Sequence, residues 1–223
     1  MNSLDQLVPL AVGMVISPLP IVAIVAIVLA PRGRTSAPAF LSVFTLVSLV
    51  FVVIGMFASA GASATVSGGS KVIVLVLTIA VMIGFAILAV VSWLTRPATG
   101  SSPKVPSWLA TIDTITPERA AGLGFVMAIT NTKNIPLALK GGSLIGDAHL
   151  QIGTVILLCI AIALAGSLAL IIPTALSALR SESINAALKR LKTEMTTHNA
   201  IIMTVMFAML AAVELSHLLR QLS

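Results

Sequence analysis

Apolar residues fill this chain in long blocks with short polar joints between them. The blocks run roughly over Leu4–Ala30, Ala37–Ala60, Val72–Leu94, Ala120–Lys140, Ile152–Leu176 and Asn199–Leu219. Each holds about 20 to 27 residues, or about 30 to 40 Å of helix, enough to cross the hydrocarbon of a bilayer. Backbone groups in lipid must bond within their own segment, so helices are the form such runs take. The pattern predicts an all-α membrane protein with six transmembrane helices. One joint has a different periodicity. In "RSESINAALKRLKTEM", Ile184, Ala187, Leu188, Leu191 and Met195 recur at helical spacing, with Lys189, Arg190 and Lys192 off that stripe. This predicts an amphipathic helix near residues 181–196, lying on an anionic membrane surface or packed as a linker against neighbouring loops.

Composition narrows the class. Of 223 residues, 58% are hydrophobic and 9% charged, too few polar side chains to coat a soluble domain of this size. The net charge of +6 could suggest a nucleic-acid partner, but the basic residues form no compact domain. They sort by loop instead. Arg32, Arg34, Arg96, Lys104, Arg119, Arg180, Lys189, Arg190 and Lys192 fall on one side of the six-helix plan. Lys71, Lys140 and Arg220 fall on the other. The positive-inside rule then predicts a multi-pass protein of the cell membrane with both termini outside. No basic residue precedes Arg32, so the first block is expected to be a retained helix rather than a cleaved signal. Cys159 is the only cysteine, which excludes an intrachain disulfide and reads as a small buried hydrophobe.

The stretch "TRPATGSSPKVPSWLATID" is rich in Pro, Ser and Gly and reads as a linker, with Trp93 and Trp108 suited to flanking interfaces. Residues 1–94 and 118–223 would then be two three-helix repeats joined by a cytoplasmic linker at 95–117. Three crossings per half make the repeats inverted, a common transporter plan. The first helix of each repeat is interrupted. "ISPLPIV" puts Pro18 and Pro20 in mid-span, and "TNTKNIP" puts Asn131, Thr132, Lys133, Asn134 and Pro136 at the matching depth. Each proline removes a backbone donor, so carbonyls one turn earlier need another partner. Paired interruptions of this kind mark a binding site at the membrane midplane. Ser17, Pro18, Pro20, Asn131, Thr132, Lys133, Asn134 and Pro136 are the candidate substrate-binding residues. A lysine at the bilayer centre costs about 2.5 to 3.5 kcal/mol. Lys133 is therefore expected to face protein or a wet cavity, where it would bind an anionic group, titrate, or pair with Glu214 at similar depth. Thr130 and Thr132 would return bonds to their own helix. Gly122 and Gly124 would permit close helix packing. The three histidines are scattered and suggest no metal site, and no phosphate-binding loop is present, so no cofactor is expected.

These motifs carry a family resemblance. "ISPLPIVAIVAIVLAPRGR" followed by an apolar span, then "TNTKNIPLAL", resembles the peptidoglycolipid- and sulfolipid-addressing (GAP/Sap) family of the LysE exporter superfamily. The likeness extends over the whole chain in length and span count. Thr132 departs from it, standing where the family commonly has proline, with Pro136 three residues beyond the lysine. The resemblance implies export or translocation of an envelope glycolipid or lipid precursor. On the residues alone, the head would bind between the two broken helices while the tail stays in lipid. The alternatives are a small-metabolite (amino acid) exporter, an accessory scaffold for envelope-synthesis proteins, or an intramembrane lipid-modifying enzyme. Nothing forms a nucleophile–base–acid set, so no catalytic residue is assigned. The partners expected are membrane lipids and an amphiphilic or anionic small molecule. Small-residue faces would also permit a homodimer.

Overall fold

The computed structural model describes residues 3–63, 70–96, 112, 114–131, 133–179 and 181–222. Among the described residues the regular structure is helical throughout. After a single turn at Ser3–Gln6 come α1 (Leu7–Val15), α2 (Pro18–Leu29), α3 (Gly33–Ser63), α4 (Ser70–Leu94), α5 (Pro117–Ile129) and α6 (Asn134–Asp147). They are followed by α7 (Ile152–Gly166), α8 (Leu168–Ser177), α9 (Glu182–Thr197) and α10 (Asn199–Leu222). All six apolar blocks are helical where described. Three of them are broken: the first into α1 and α2, the fourth into α5 and α6, the fifth into α7 and α8. By length and apolarity, Gly33–Ala58 qualifies as a membrane span of 26 residues. The pairs α1 with α2 and α7 with α8 pass the same test together, as broken spans or re-entrant loops, bent by 53° and 68°.

The chain forms two compact units, each drawing on both halves of the sequence. The first comprises Met1–Ala62 and Val105–Glu194, the second Ser63–Lys104 and Met195–Ser223. At the heart of the first unit lies α2. It is apolar on every side, and from Pro18 to Ile27 only Leu19 is exposed. A helix without a polar face must be surrounded, and α2 packs against α5 and α8.

The outer helices are apolar on both faces. On α3, Phe40, Phe44, Ser48 and Val52 point inward, while Leu46, Val50, Ile54 and Phe57 are exposed. On α7, Cys159, Ile162 and Ala163 are buried, while Ile156, Leu157, Ile160 and Leu164 are exposed. Water would make such a surface an association patch, whereas hydrocarbon makes it the ordinary exterior. The molecule is a membrane protein on this evidence.

Glycines set how closely α3 approaches its neighbours. A Cβ on Gly142 would overlap the Val52 carbonyl oxygen, one on Gly55 the Leu139 carbonyl, and one on Gly124 would meet the Phe40 carbonyl. Contacts between backbones are the use small residues have between membrane helices. Gly124 was expected to serve this way and does. Gly122, expected to do the same, faces open space. The pairs Phe40 with Gly124 and Val52 with Gly142 advance together, so α3 runs parallel to α5 and α6. Their starting ends are tied by the Ser36 hydroxyl, which donates to the Ile115 carbonyl at 3.1 Å. The α5 start is capped as expected, with Pro117 in its first turn and Thr116 Oγ1 accepting from the Arg119 amide at 3.5 Å.

In the second unit α4 and α10 pack along one another through Phe85, Ala89, Met206 and Phe207. The Phe85 and Phe207 rings stack with centroids 6.1 Å apart. At the end of α4 the Arg96 guanidinium lies 3.7 Å over the Trp93 ring, a pairing suited to a membrane interface. The apolar stripe of α9 divides. Leu188 is buried and Ile184 half-buried, while Leu191 is 38% exposed. Of the linker at 95–117, Trp108 and Lys104 lie outside the described residues, as do Thr132 and Arg180.

Candidate functional site

Two prolines create the site. In a continuous helix the amide of residue i bonds the carbonyl of residue i−4. Pro18 and Pro20 carry no N–H, so the carbonyls of Met14 and Ile16 lose their helical donors. The Ser17 amide turns back to Val15, which leaves Gly13 without its donor as well. Chain direction changes here: α1 ends at Val15, Ser17 is extended, and Pro18 opens α2 as its first residue. Proline is favoured there because the first helical amides have no intrahelical acceptor. The two prolines therefore end one helix and begin the next, and three carbonyls are left without helical donors, that of buried Met14 and those of Gly13 and Ile16 in partly buried positions.

Lys133 answers all three. Its Nζ donates to the Gly13 carbonyl at 2.6 Å, to the Met14 carbonyl at 3.4 Å, and to the Ile16 carbonyl. An ammonium has three protons to give, and the end of α1 takes each of them. The charge also sits where the dipole of α1 is negative. Lys133 is 1% exposed, so the expectation that it faces protein rather than lipid holds. Its location follows from its own broken helix. Thr130 closes α5, Lys133 is the residue before α6, and the gap swings the side chain onto α1.

The asparagines and the serine complete the lock. Asn134 Nδ2 donates to the Met14 carbonyl at 3.3 Å. Ser17 Oγ lies 3.3 Å from Asn134 Oδ1 and 3.4 Å from the Met14 carbonyl, and can donate to either. Asn131 Nδ2 donates to Ser17 Oγ at 3.3 Å, and Asn131 Oδ1 accepts from the Asn134 amide at 3.3 Å. Asn131 thus caps α6 through a local turn while reaching across to the α1–α2 break. Thr130 returns its hydroxyl to the Val126 carbonyl at 2.7 Å, as expected. Pro136 is the third residue of α6, where a missing N–H costs no helical bond.

The structure thus gathers Ser17, Pro18, Pro20, Asn131, Lys133 and Asn134 into one buried cluster, with Pro136 at its edge. Thr132 lies outside the described residues. Glu214, on α10 of the second unit, is half-buried. Sequence reasoning foresaw unsatisfied polarity left open at the break. The geometry instead shows the two interruptions satisfying one another.

A third break went unforeseen. Between α7 and α8, Ser167 Oγ donates to the Ala163 carbonyl at 3.0 Å and accepts from Thr45 Oγ1 at 2.9 Å. Ser167 is fully buried, and the Met14 side chain packs on Gly166 beside it. The sequence signal was the Gly166–Ser167 pair, a known source of sharp kinks, hidden in an otherwise apolar run.

A family model described as Sap, sulfolipid-1-addressing protein, matches residues 7–217, and the chain belongs to that family. Neither a curated protein nor a solved structure matches the chain.

Proposed function

We propose, with membership of the sulfolipid-1-addressing family as the premise, that this membrane protein translocates an envelope lipid with a polar or anionic head. The family makes the role lipid-related. The proposal adds transport, six crossings in two inverted three-helix repeats, and termini outside. The observation that carries it is the Lys133 lock. Two broken helices meet through side chains and backbone carbonyls that can be satisfied by each other or by a guest. Closed, Lys133 and Asn134 serve the end of α1. Parted, Lys133, Asn131 and Asn134 would present an ammonium and two carboxamides, and the end of α1 its bare carbonyls, which suits a sulfate, phosphate or sugar head. The tail would remain in lipid, beside the exposed apolar faces of α3 and α7. Opening must break several buried polar contacts, so only a ligand that replaces them would drive it.

A crosslink tests this. Ser17 and Asn134 are in direct contact, and Ser17→Cys with Asn134→Cys, in a Cys159→Ala background, would pin the two breaks together. Flux of labelled glycolipid in proteoliposomes should stop on oxidation and return with reductant. Equal flux in the oxidised and reduced protein would overturn the proposal. Flux of an amino acid in place of lipid would favour the small-metabolite alternative.

A further inference from the structure

An open cleft of about 410 Å³ lies in the first unit, away from the lysine lock, with Pro31, Arg34 and Asn185 exposed. Val28, Ala30 and Pro31 line it from the end of α2, Gly33 and Arg34 from the start of α3, Ser177 from α8 and Asn185 from α9. Gly33 shapes it. Its buried Cα lies so close to the end of α2 that a Cβ would sit 2.5 Å from the carbonyl oxygens of both Ile27 and Val28. The chain therefore folds back tightly from α2 into α3 and brings Arg34 to the mouth.

The polar groups at this cavity differ in their commitments. Ser177 Oγ donates to the Thr174 carbonyl at 2.6 Å. The amides of Gly33, Thr35 and Ser36 are taken by carbonyls of Ala30 and Arg32, so the α3 terminus is largely capped by its own chain. Among the described residues, no hydrogen bond or ion pair engages the Arg34 guanidinium or the Asn185 carboxamide. The cleft thus offers a planar cationic fork and an amide donor beside Val28, Ala30 and Pro31, with no carboxylate among the described residues of its lining.

We propose that this cavity binds a tetrahedral oxyanion, sulfate or phosphate, through Arg34 and Asn185. Guanidinium recognises such anions bidentately, and the carboxamide supplies a further donor. The organic group that carries the anion would lie against Val28, Ala30 and Pro31 in the same cleft. The same chemistry occurs on a lipid head and on a free anion. The site is separate from the Lys133 cluster and is tested by equilibrium binding, independent of any transport.

The full-length protein would be placed in phosphatidylcholine nanodiscs and titrated with sodium sulfate at constant ionic strength. In parallel, nanodiscs containing a sulfated glycolipid or phosphatidylglycerol would be assayed by native mass spectrometry. Saturable binding of one sulfate per chain indicates a free-anion site, whereas retention of one anionic lipid without sulfate binding indicates a head-group site. In either arm Arg34→Gln and Asn185→Ala should each weaken binding about tenfold, the loss of one strong hydrogen-bonding partner. Arg32→Gln, outside the cavity lining, should leave it unchanged. No binding of either probe, wild-type affinity in either cavity variant, or an equal loss in Arg32→Gln would overturn the proposal.

Discussion

Replacing Lys133 with methionine keeps most of the aliphatic stem and removes the ammonium. Three carbonyls then lose a donor, those of Gly13, Met14 and Ile16. Met14 keeps Asn134 Nδ2, so Gly13 and Ile16 bear the loss. Polar bonds between membrane helices contribute about 0.6 to 1.7 kcal/mol each, less than their gas-phase strength because the unassembled state finds partners too. Three such bonds amount to about 2 to 5 kcal/mol. For a chain of this length each kcal/mol moves the melting midpoint by about 2 to 4 °C, so Lys133→Met should melt about 4 to 20 °C lower. The cause is testable by a cycle. Pro18→Ala with Pro20→Ala restores amides that can bond Met14 and Ile16 within one helix. In that background Lys133→Met should cost less than half as much, because the carbonyls no longer depend on it. Thermal unfolding of the four detergent-purified proteins supplies the numbers. A Lys133→Met variant within 1 °C of wild type, or an equal loss with and without the prolines, would refute the reasoning.

Other perturbations read different contacts. Gly142→Ala drives a methyl into the Val52 carbonyl and should cost about 1 to 3 kcal/mol or more, whereas Gly122→Ala meets nothing and should gain up to ~1 kcal/mol from helix propensity; the two melting curves should move in opposite directions. Thr45→Val and Ser167→Ala each break the bond that ties α3 to the α7–α8 bend, and Ser167→Ala also loses the bond to the Ala163 carbonyl, so a double-mutant cycle should show the pair losing little more than Ser167→Ala alone. Phe207→Ala empties a stacked position 2% exposed and should lower stability by about 3 to 5 kcal/mol, seen as loss of folded protein on size-exclusion after mild heating.

How much of this was legible in advance differs by feature. Helical blocks, the Thr116 cap and the breaks at Pro18 and Lys133 were all visible, because each follows from a local rule: apolar length, capping chemistry, or a missing amide proton. The broken fifth helix was not, since a Gly–Ser pair in an apolar run bends only where a neighbour such as Thr45 rewards it. Gly122 and Gly124 look alike in sequence, yet only one meets a backbone.

By itself, the sequence determined that this chain enters a membrane as helices and that Met14 and Ile16 would be stripped of their donors. That much is set by hydrogen-bond arithmetic along one strand of peptide. Which group would repair them was decided only in three dimensions, since Lys133 lies more than a hundred residues from the carbonyls it serves. Many donors could meet an orphaned carbonyl, and the packing of α1 against α6 selected this one. The same packing converted two apparent defects into a single satisfied junction.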